Sequence, residues 1–381
     1  MQSNRRDFLA HTLAVPALAA LGAHRLAAAP SPVLERPPFP YVDGLSFFSP
    51  DPGDIPKSGL TAFICDISAG APLKTEDGSV KFWRSFEPCA RSITMNHRSL
   101  MAGEVPGAFL ATRGSEIRKA YDEGRTAVFF QFQGGGEAVG DQLWRLDLFH
   151  SLGLRVFQIT HHNNNLWGGG AIEKEWSGLT KLGHEGVERL NALGIIPDLS
   201  HVSEPTSLDV IKASKRAVIV SHSGAQALVP NARCTADSVI RGVAESGGAF
   251  GVFMMSFWLT TDPVPTAQSF AHQVRHVVKV GGIDAAAVAN DYTIAGELNA
   301  AKMGNDNAKV IAGYMPWWES VAKQGVYGFD RRPTHVVIPE LNNVRRMFLI
   351  HEALANDGFT PREIEKIMGG NWMRVLTDAL G

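Results

Sequence analysis

Two short stretches of this chain place imidazoles where chemistry could be done. Gly194-Ile195-Ile196-Pro197-Asp198-Leu199-Ser200-His201 and Ala217-Val218-Ile219-Val220-Ser221-His222-Ser223 are apolar runs of strand length, and both end in Ser-His. The segment between them, Glu204 to Arg216, has room for one helix. The two runs are therefore expected to be neighbouring parallel strands of a βαβ unit, with both imidazoles facing one ligand site. A lone histidine at a strand end needs only a loop partner. Two on consecutive strands point to a metal or catalytic pair, because neutral imidazole is a common metal ligand.

Strand-like runs recur along the chain at Tyr41 to Leu45, Leu60 to Ile67, Thr126 to Gln133, Arg155 to His161, Ile195 to His201, Ala217 to His222, Ala249 to Met255 and Ala286 to Asp291. Helical periodicity separates most of them, at Ser115 to Glu123, Asp141 to Leu152, Gly186 to Leu193, Glu204 to Ala213, Asp237 to Glu245 and Ala267 to Val280. Buried strands alternating with helices predict an α/β fold, a (β/α)₈ barrel of the TIM type, with a doubly wound open sheet as the alternative. Past Asp291 the chain reads as loop from Asn299 to Gly328, with Trp317 and Trp318 expected to pack. Helices are expected over Glu340 to Ala355 and Pro361 to Met368, the latter started by Thr360-Pro361-Arg362-Glu363.

In a barrel the active site lies at the carboxyl ends of the strands. That rule makes candidates of Asp43, Ser46, Asp66, Gln133, His161 with His162, Asp198, His201, His222 and Asp291. Asp66, Asp198 and Ser46 could equally cap turns or helices. The loop His161-His162-Asn163-Asn164-Asn165 could fold on its own hydrogen bonds, or His161 could hydrogen-bond a substrate or a developing oxyanion. Asp291 is either a general acid/base, its pKa raised by partial desolvation, or the buried partner of an arginine such as Arg233.

At 381 residues, 45% of them hydrophobic and with a formal charge of -2, the chain has an ordinary globular composition. It offers no electrostatic reason to bind nucleic acid or anionic lipid. The amino terminus, with Arg5-Arg6, an apolar run to Leu21 and Leu26-Ala27-Ala28-Ala29-Pro30, has the pattern of a twin-arginine export signal. Residues 1–29 are read as that signal, without stable membrane insertion, and 30–381 as one periplasmic domain. Cys65, Cys89 and Cys234 include no close pair and read as buried thiols, a Cys65 to Cys89 disulfide being permitted but not indicated.

An ordered set of motifs resembles the membrane (renal) dipeptidases: Gly153-Leu154-Arg155-Val156-Phe157-Gln158-Ile159-Thr160-His161, Asp198-Leu199-Ser200-His201, Ser221-His222-Ser223, Gly282-Ile283-Asp284 running on to Asp291, and Gly369-Gly370-Asn371-Trp372-Met373-Arg374-Val375. The similarity runs from about Val42 to Leu376. It implies an amidohydrolase-type barrel with a two-zinc site that hydrolyses dipeptides, in a homodimer. Carried over by residue, it gives His201 and His222 to the second zinc, His161 to the substrate and tetrahedral intermediate, Arg233 to the substrate carboxylate, and Asp291 to the leaving amine. Asp237 is in register after Arg233, while Cys234 stands where the family often has Asn.

The departures fall in the chemistry. The family's first strand ends Asp-Gly-His-Asn-Asp and supplies two first-zinc ligands, whereas this chain reads Asp43-Gly44-Leu45-Ser46-Phe47. The bridging glutamate is replaced by Gln133, an uncharged amide that bridges metals poorly. The expectation is one zinc on His201 and His222, with the Gln133 carbonyl oxygen as a weak third ligand, and with Asp291 and His161 catalytic. The competing expectation is a non-hydrolytic barrel that binds or remodels a peptidic natural product, as in siderophore maturation. Deacylation of an N-acyl amino acid is a third.

Overall fold

The computed structural model describes residues 36–74, 80–323, 328–329 and 331–381. The export signal expected over residues 1–29 lies outside the described residues. In chain order the strands are β1 (Val42–Ser46), β2 (Ala62–Asp66), β3 (Ala71–Lys74), β4 (Val80–Trp83), β5 (Ala108–Leu110), β6 (Thr126–Phe132), β7 (Leu154–Gln158), β8 (Ile196–Asp198), β9 (Val220–Ser223), β10 (Phe250–Val252) and β11 (Ala286–Val288).

Parallel pairing runs β1-β2-β6-β7-β8 and, separately, β9-β10-β11. Backbone hydrogen bonds join the two arcs at both ends. Leu199 N–H donates to the Ile219 carbonyl at 2.8 Å, and Asp291 N–H to the Leu45 carbonyl at 2.9 Å. The result is the closed eight-stranded barrel that the sequence predicts, every predicted run supplying one strand. β5 pairs with the first half of β6 and β7 with the second, while β3 and β4 form an antiparallel hairpin.

Side-chain alternation along each strand sorts the interior into layers. Val42, Ala62, Ile64, Ala127, Phe129, Val156, Ile196, Ile219 and Ala287 form the apolar inner layer with Trp372 from the last helix, Asn371–Leu380. Trp372 is fully buried beneath the strands, and its indole N–H donates to the Val288 carbonyl at 2.9 Å. Glycine is required above it: a Cβ on Gly44 or Gly251 would overlap both the Trp372 indole and the Ser221 carbonyl oxygen. One step nearer the carboxyl ends the inward residues turn polar, with Gln131, Gln158, Asp198 and Ser221 all fully buried. The outward faces pack under the helices in a second, larger core that includes Phe63, Phe130, Phe132 and Phe157.

Two regions differ from the sequence reading. Helix Phe86–Met101 and the β3-β4 hairpin were not expected. The region read as loop from Asn299 to Gly328 holds helices Leu298–Lys302 and Asn307–Lys323, the second with Pro316 inside it. Tyr314 and Trp318, four residues apart, share that helix's buried face and meet Phe257 and Phe329. Packing thus outweighs the helix-breaking tendency of the proline. The Trp pair does pack, as expected.

Candidate metal centre

Asp198 ends β8 and anchors the polar layer. Its Oδ1 accepts from Ser200 N–H (3.1 Å), Ser200 Oγ (2.8 Å) and Ser221 N–H (2.8 Å). Its Oδ2 accepts from Ser221 Oγ (2.6 Å), the Gln131 amide and the Gln158 amide (3.4 Å). Burial pushes its pKa up and the hydrogen bonds pull it back. Every contact donates to the carboxylate, so Asp198 is an acceptor throughout. The alternative of a capping role at a turn is realised through Ser200 N–H, but within this larger network.

Ser221 gives its hydroxyl hydrogen to Asp198 and accepts at 2.7 Å from His222 Nδ1. A carboxylate acting through a serine thus sets the His222 tautomer, with hydrogen on Nδ1 and the lone pair on Nε2. Beyond β8 the chain turns, and His201 adopts φ 62°, a left-handed conformation uncommon for a residue with a Cβ. The turn brings His201 Nε2 to 3.0 Å from His222 Nε2 and His201 Nδ1 to 3.3 Å from His162 Nδ1. The His161 ring stacks on His201 with centroids 4.4 Å apart. His161, His162 and His201 each offer a ligand nitrogen, all within 4.8 Å of one another.

All four imidazoles are held neutral. Burial lowers the pKa of each, with Arg233 adding to the effect at His162, His201 and His222, and Arg84 at His161. His162 falls to about 3. Neutral imidazoles keep a lone pair at physiological pH, so this donor set fits a zinc-type cation, whereas hard cations prefer oxygen. The sequence reading gave His162 no role. Strand alternation would send neighbouring side chains to opposite faces, but β7 ends at Gln158 and both histidines lie in the bend that follows.

Asp291 also has positive φ, 57°. Its carboxyl is raised to about 7, by burial first and then by Asp66 and Asp43, against the pull of Arg233. Oδ1 stands 3.9 Å from His222 Nε2 and Oδ2 stands 4.0 Å from Arg233 Nη2. Arg233 is 1% exposed, with long contacts to Ser223 Oγ (3.4 Å) and the His222 carbonyl (3.3 Å) and a buried Nε without a partner. Its guanidinium lies over the Phe253 and Trp258 rings.

Leu45 and Ser46 end β1 without a ligand side chain turned to the histidines: Ser46 Oγ donates to the Tyr292 carbonyl at 3.1 Å. Asp43 accepts from Leu45 N–H (3.0 Å), Asn290 N–H (2.9 Å) and the Asn290 amide. Asp66 accepts from Ser68 N–H (2.8 Å) and Gln133 N–H (3.1 Å) in a turn. Each is occupied in holding the barrel rim. Gln133 is 4% exposed, and its successor Gly134, at φ 64°, has His161 Cβ and Arg84 Cδ each 3.1 Å from the place a Cβ would occupy. Glu137, missed in the sequence, approaches the same corner, where it accepts from Arg84 N–H at 3.3 Å. Burial raises it to about 7.

The family model of the membrane dipeptidases, peptidase family M19, matches residues 93–307. Dipeptidase tcpJ of Claviceps purpurea (strain 20.1) is 29% identical over 273 residues, 71% of this chain and 55% of its own length. The chain thus spans about half the length of that curated relative. An amidohydrolase from Pseudomonas aeruginosa superposes with a TM-score of 0.74 at 27% identity, over 90% of this chain and 97% of that one. A metallo peptidase from Rhodobacter sphaeroides, solved with a phosphinate mimic of the dipeptide L-Ala-D-Ala, has the same fold, with a TM-score of 0.69 at 18% identity over 90% and 99% of the two chains. With the eight-stranded barrel, the Ser-His strand ends and a family match over most of the barrel, this chain belongs to the membrane dipeptidase family.

Proposed function

We propose that this protein hydrolyses the amide bond of dipeptides or similarly small peptidic substrates, in the periplasm, with one zinc ion at His201. One observation carries the reading: His201 lies within 3.3 Å of two further imidazoles at the mouth of the barrel, and all are neutral. A bound zinc ion would polarise a carbonyl and lower the pKa of water to about 7. The resemblance gives His222 and the Gln133 carbonyl oxygen as co-ligands of His201.

The chain's own residues supply the rest. Arg233, buried and incompletely hydrogen-bonded, would bind the substrate carboxylate, which would satisfy a charge now held only by long contacts. Asp291, with a carboxyl near neutrality in pKa, would carry the proton to the leaving amine. His161, stacked on His201, would contact the carbonyl under attack. The periplasmic location rests on the Arg5-Arg6 leader, and a homodimer rests on the resemblance alone. Among the described residues no helix is long and apolar enough to cross a membrane.

The test is metal analysis of the mature protein with a dipeptide panel, repeated for His201→Ala. Loss of metal and turnover together is the expected result. Full turnover by metal-free protein would refute the reading. Tight binding of a peptide without any hydrolysis would support the non-hydrolytic barrel instead.

A further inference from the structure

Arg84 follows directly on the β3-β4 hairpin, and its side chain reaches the mouth of the barrel. Its Nε donates to Ser68 Oγ at 3.0 Å, and Ser68 is itself fixed to Asp66, the hydroxyl donating to Oδ2 at 3.1 Å. The Arg84 backbone N–H donates to Glu137 at 3.3 Å. These bonds hold the side chain across Gly134. There Arg84 Cδ and His161 Cβ each lie 3.1 Å from the point a Cβ would occupy, so the missing side chain of the glycine is what lets the arginine lie against the histidine.

Among the described residues the Arg84 Nη groups make no hydrogen bond and no ion pair. Asp66 and Glu137 feel its charge, which opposes the rise in their pKa, but neither closes an ion pair with it. Two guanidiniums therefore flank the imidazoles. Arg84 is the strongest charge acting on His161, whereas Arg233 is the strongest acting on His162, His201 and His222. Arg84 stands at the end of β6, by Gly134, and Arg233 at the end of β9, by Ser223. With the terminal carboxylate of a dipeptide on Arg233 and its scissile carbonyl at His161, the residue on the acyl side of that bond extends toward Arg84. A planar guanidinium with open Nη groups matches a carboxylate there.

We propose that Arg84 binds a second carboxylate, the side chain of an acidic residue on the amino-terminal side of the scissile bond, and so selects dipeptides that begin with Asp or Glu. The proposal rests on the reading that this site hydrolyses dipeptides held by Arg233, and it names their class.

The test uses the full mature chain and one isosteric pair, L-Glu-L-Ala and L-Gln-L-Ala, which differ in charge at that side chain. The readouts are the ratio of kcat/KM for the two peptides and the ratio of their dissociation constants by calorimetry. Both are recorded for wild type, Arg84→Gln and Arg84→Lys, with melting curves identifying the folded variants. Wild type is expected to favour Glu-Ala by about 10-fold or more, the worth of one hydrogen bond to a charged group. Arg84→Gln should remove the preference, and Arg84→Lys, a point charge without the fork, should keep part of it. A loss of folded protein lowers both peptides together and leaves the ratio unmoved; should Arg84→Gln fail to fold, the reduced ratio in Arg84→Lys decides. No preference in wild type, or a preference unchanged in the variants, would overturn the proposal while turnover of both peptides left the hydrolase reading standing. Binding that favours Glu-Ala through Arg84 without turnover of either peptide would uphold the carboxylate site and refute the hydrolase reading alone. Wild type that binds neither peptide would overturn both.

Discussion

Arg233 Nη2 and Asp291 Oδ2 are opposite charges in a buried site, yet they stand 4.0 Å apart, beyond hydrogen-bond distance. A gap of that size between such groups leaves the guanidinium free to take a carboxylate ligand. Arg233→Gln is expected to weaken kcat/KM for free dipeptides by about 10- to 100-fold, the worth of one hydrogen bond to a charged group. The loss should fall mainly on KM. Substrates whose carboxylate is capped as an amide should show little difference between variant and wild type, and an equal loss on both would count against the assignment.

Among the described residues, Ser221 alone links the Asp198 carboxylate to the His222 ring. Ser221→Ala leaves His222 Nδ1–H without its acceptor and frees the ring to change tautomer. Zinc affinity should fall by about 10- to 100-fold. Ser221→Thr, which keeps the hydroxyl, should recover most of it, both variants being measured by chelator competition.

Glu137 gives a pH signature. Its folded pKa, about 7, lies above the usual 4.5 because burial disfavours the charged form. Its contribution to stability is thus fully present below pH 4.5 and lost as the pH rises through 7. Glu137→Gln keeps an acceptor for Arg84 N–H and has nothing to titrate. Compared with wild type at pH 5 and pH 8 in urea, the variant should gain relative stability at the higher pH, by at most about 3 kcal/mol. A difference independent of pH would refute the assignment.

The barrel floor is tight enough to test with one methyl group. Gly251→Ala places a Cβ onto the Ser221 carbonyl oxygen and the Trp372 ring. The cost should be about 3 kcal/mol or more, seen as a large drop in melting temperature. Gly103→Ala, where nothing lies within 4 Å of the new Cβ, serves as the contrast; its φ of 70° makes it a mild strain control.

The cysteines offer a chemical check. Cys65, Cys89 and Cys234 are free and buried, and burial raises all three thiols, Cys89 and Cys234 to about 12. A disulfide reagent should leave the native protein unlabelled and titrate 3 thiols once it is unfolded in guanidinium.

The strands were legible because a parallel strand covered on both faces reads as a continuous apolar run. Their ends were less so. The run to His201 was read as strand throughout, whereas β8 stops at Asp198 and His201 turns left-handed. That turn depends on contacts with β9 and the loop after β7, which no local pattern encodes. His201, His222, His161, Arg233 and Asp291 were named from sequence and do meet in one place. His162 was named as a candidate beside His161 but given no role of its own, because the resemblance assigns a role only to His161. The helix over Asn307–Lys323 was hidden by Pro316 and by aromatic residues whose burial comes from distant partners.

Trp372, set beneath the strands with its indole tied to Val288, closes the amino end of the barrel. A vessel stoppered at the bottom has one doorway. On the hydrolytic reading proposed above, a peptide would enter, and both its amine and acid fragments would depart, by the same carboxyl-end opening. Whichever fragment holds Arg233 by its carboxylate would leave last and obstruct the next arrival, so free amino acids should inhibit competitively, the carboxylate-bearing leaving fragment most of all.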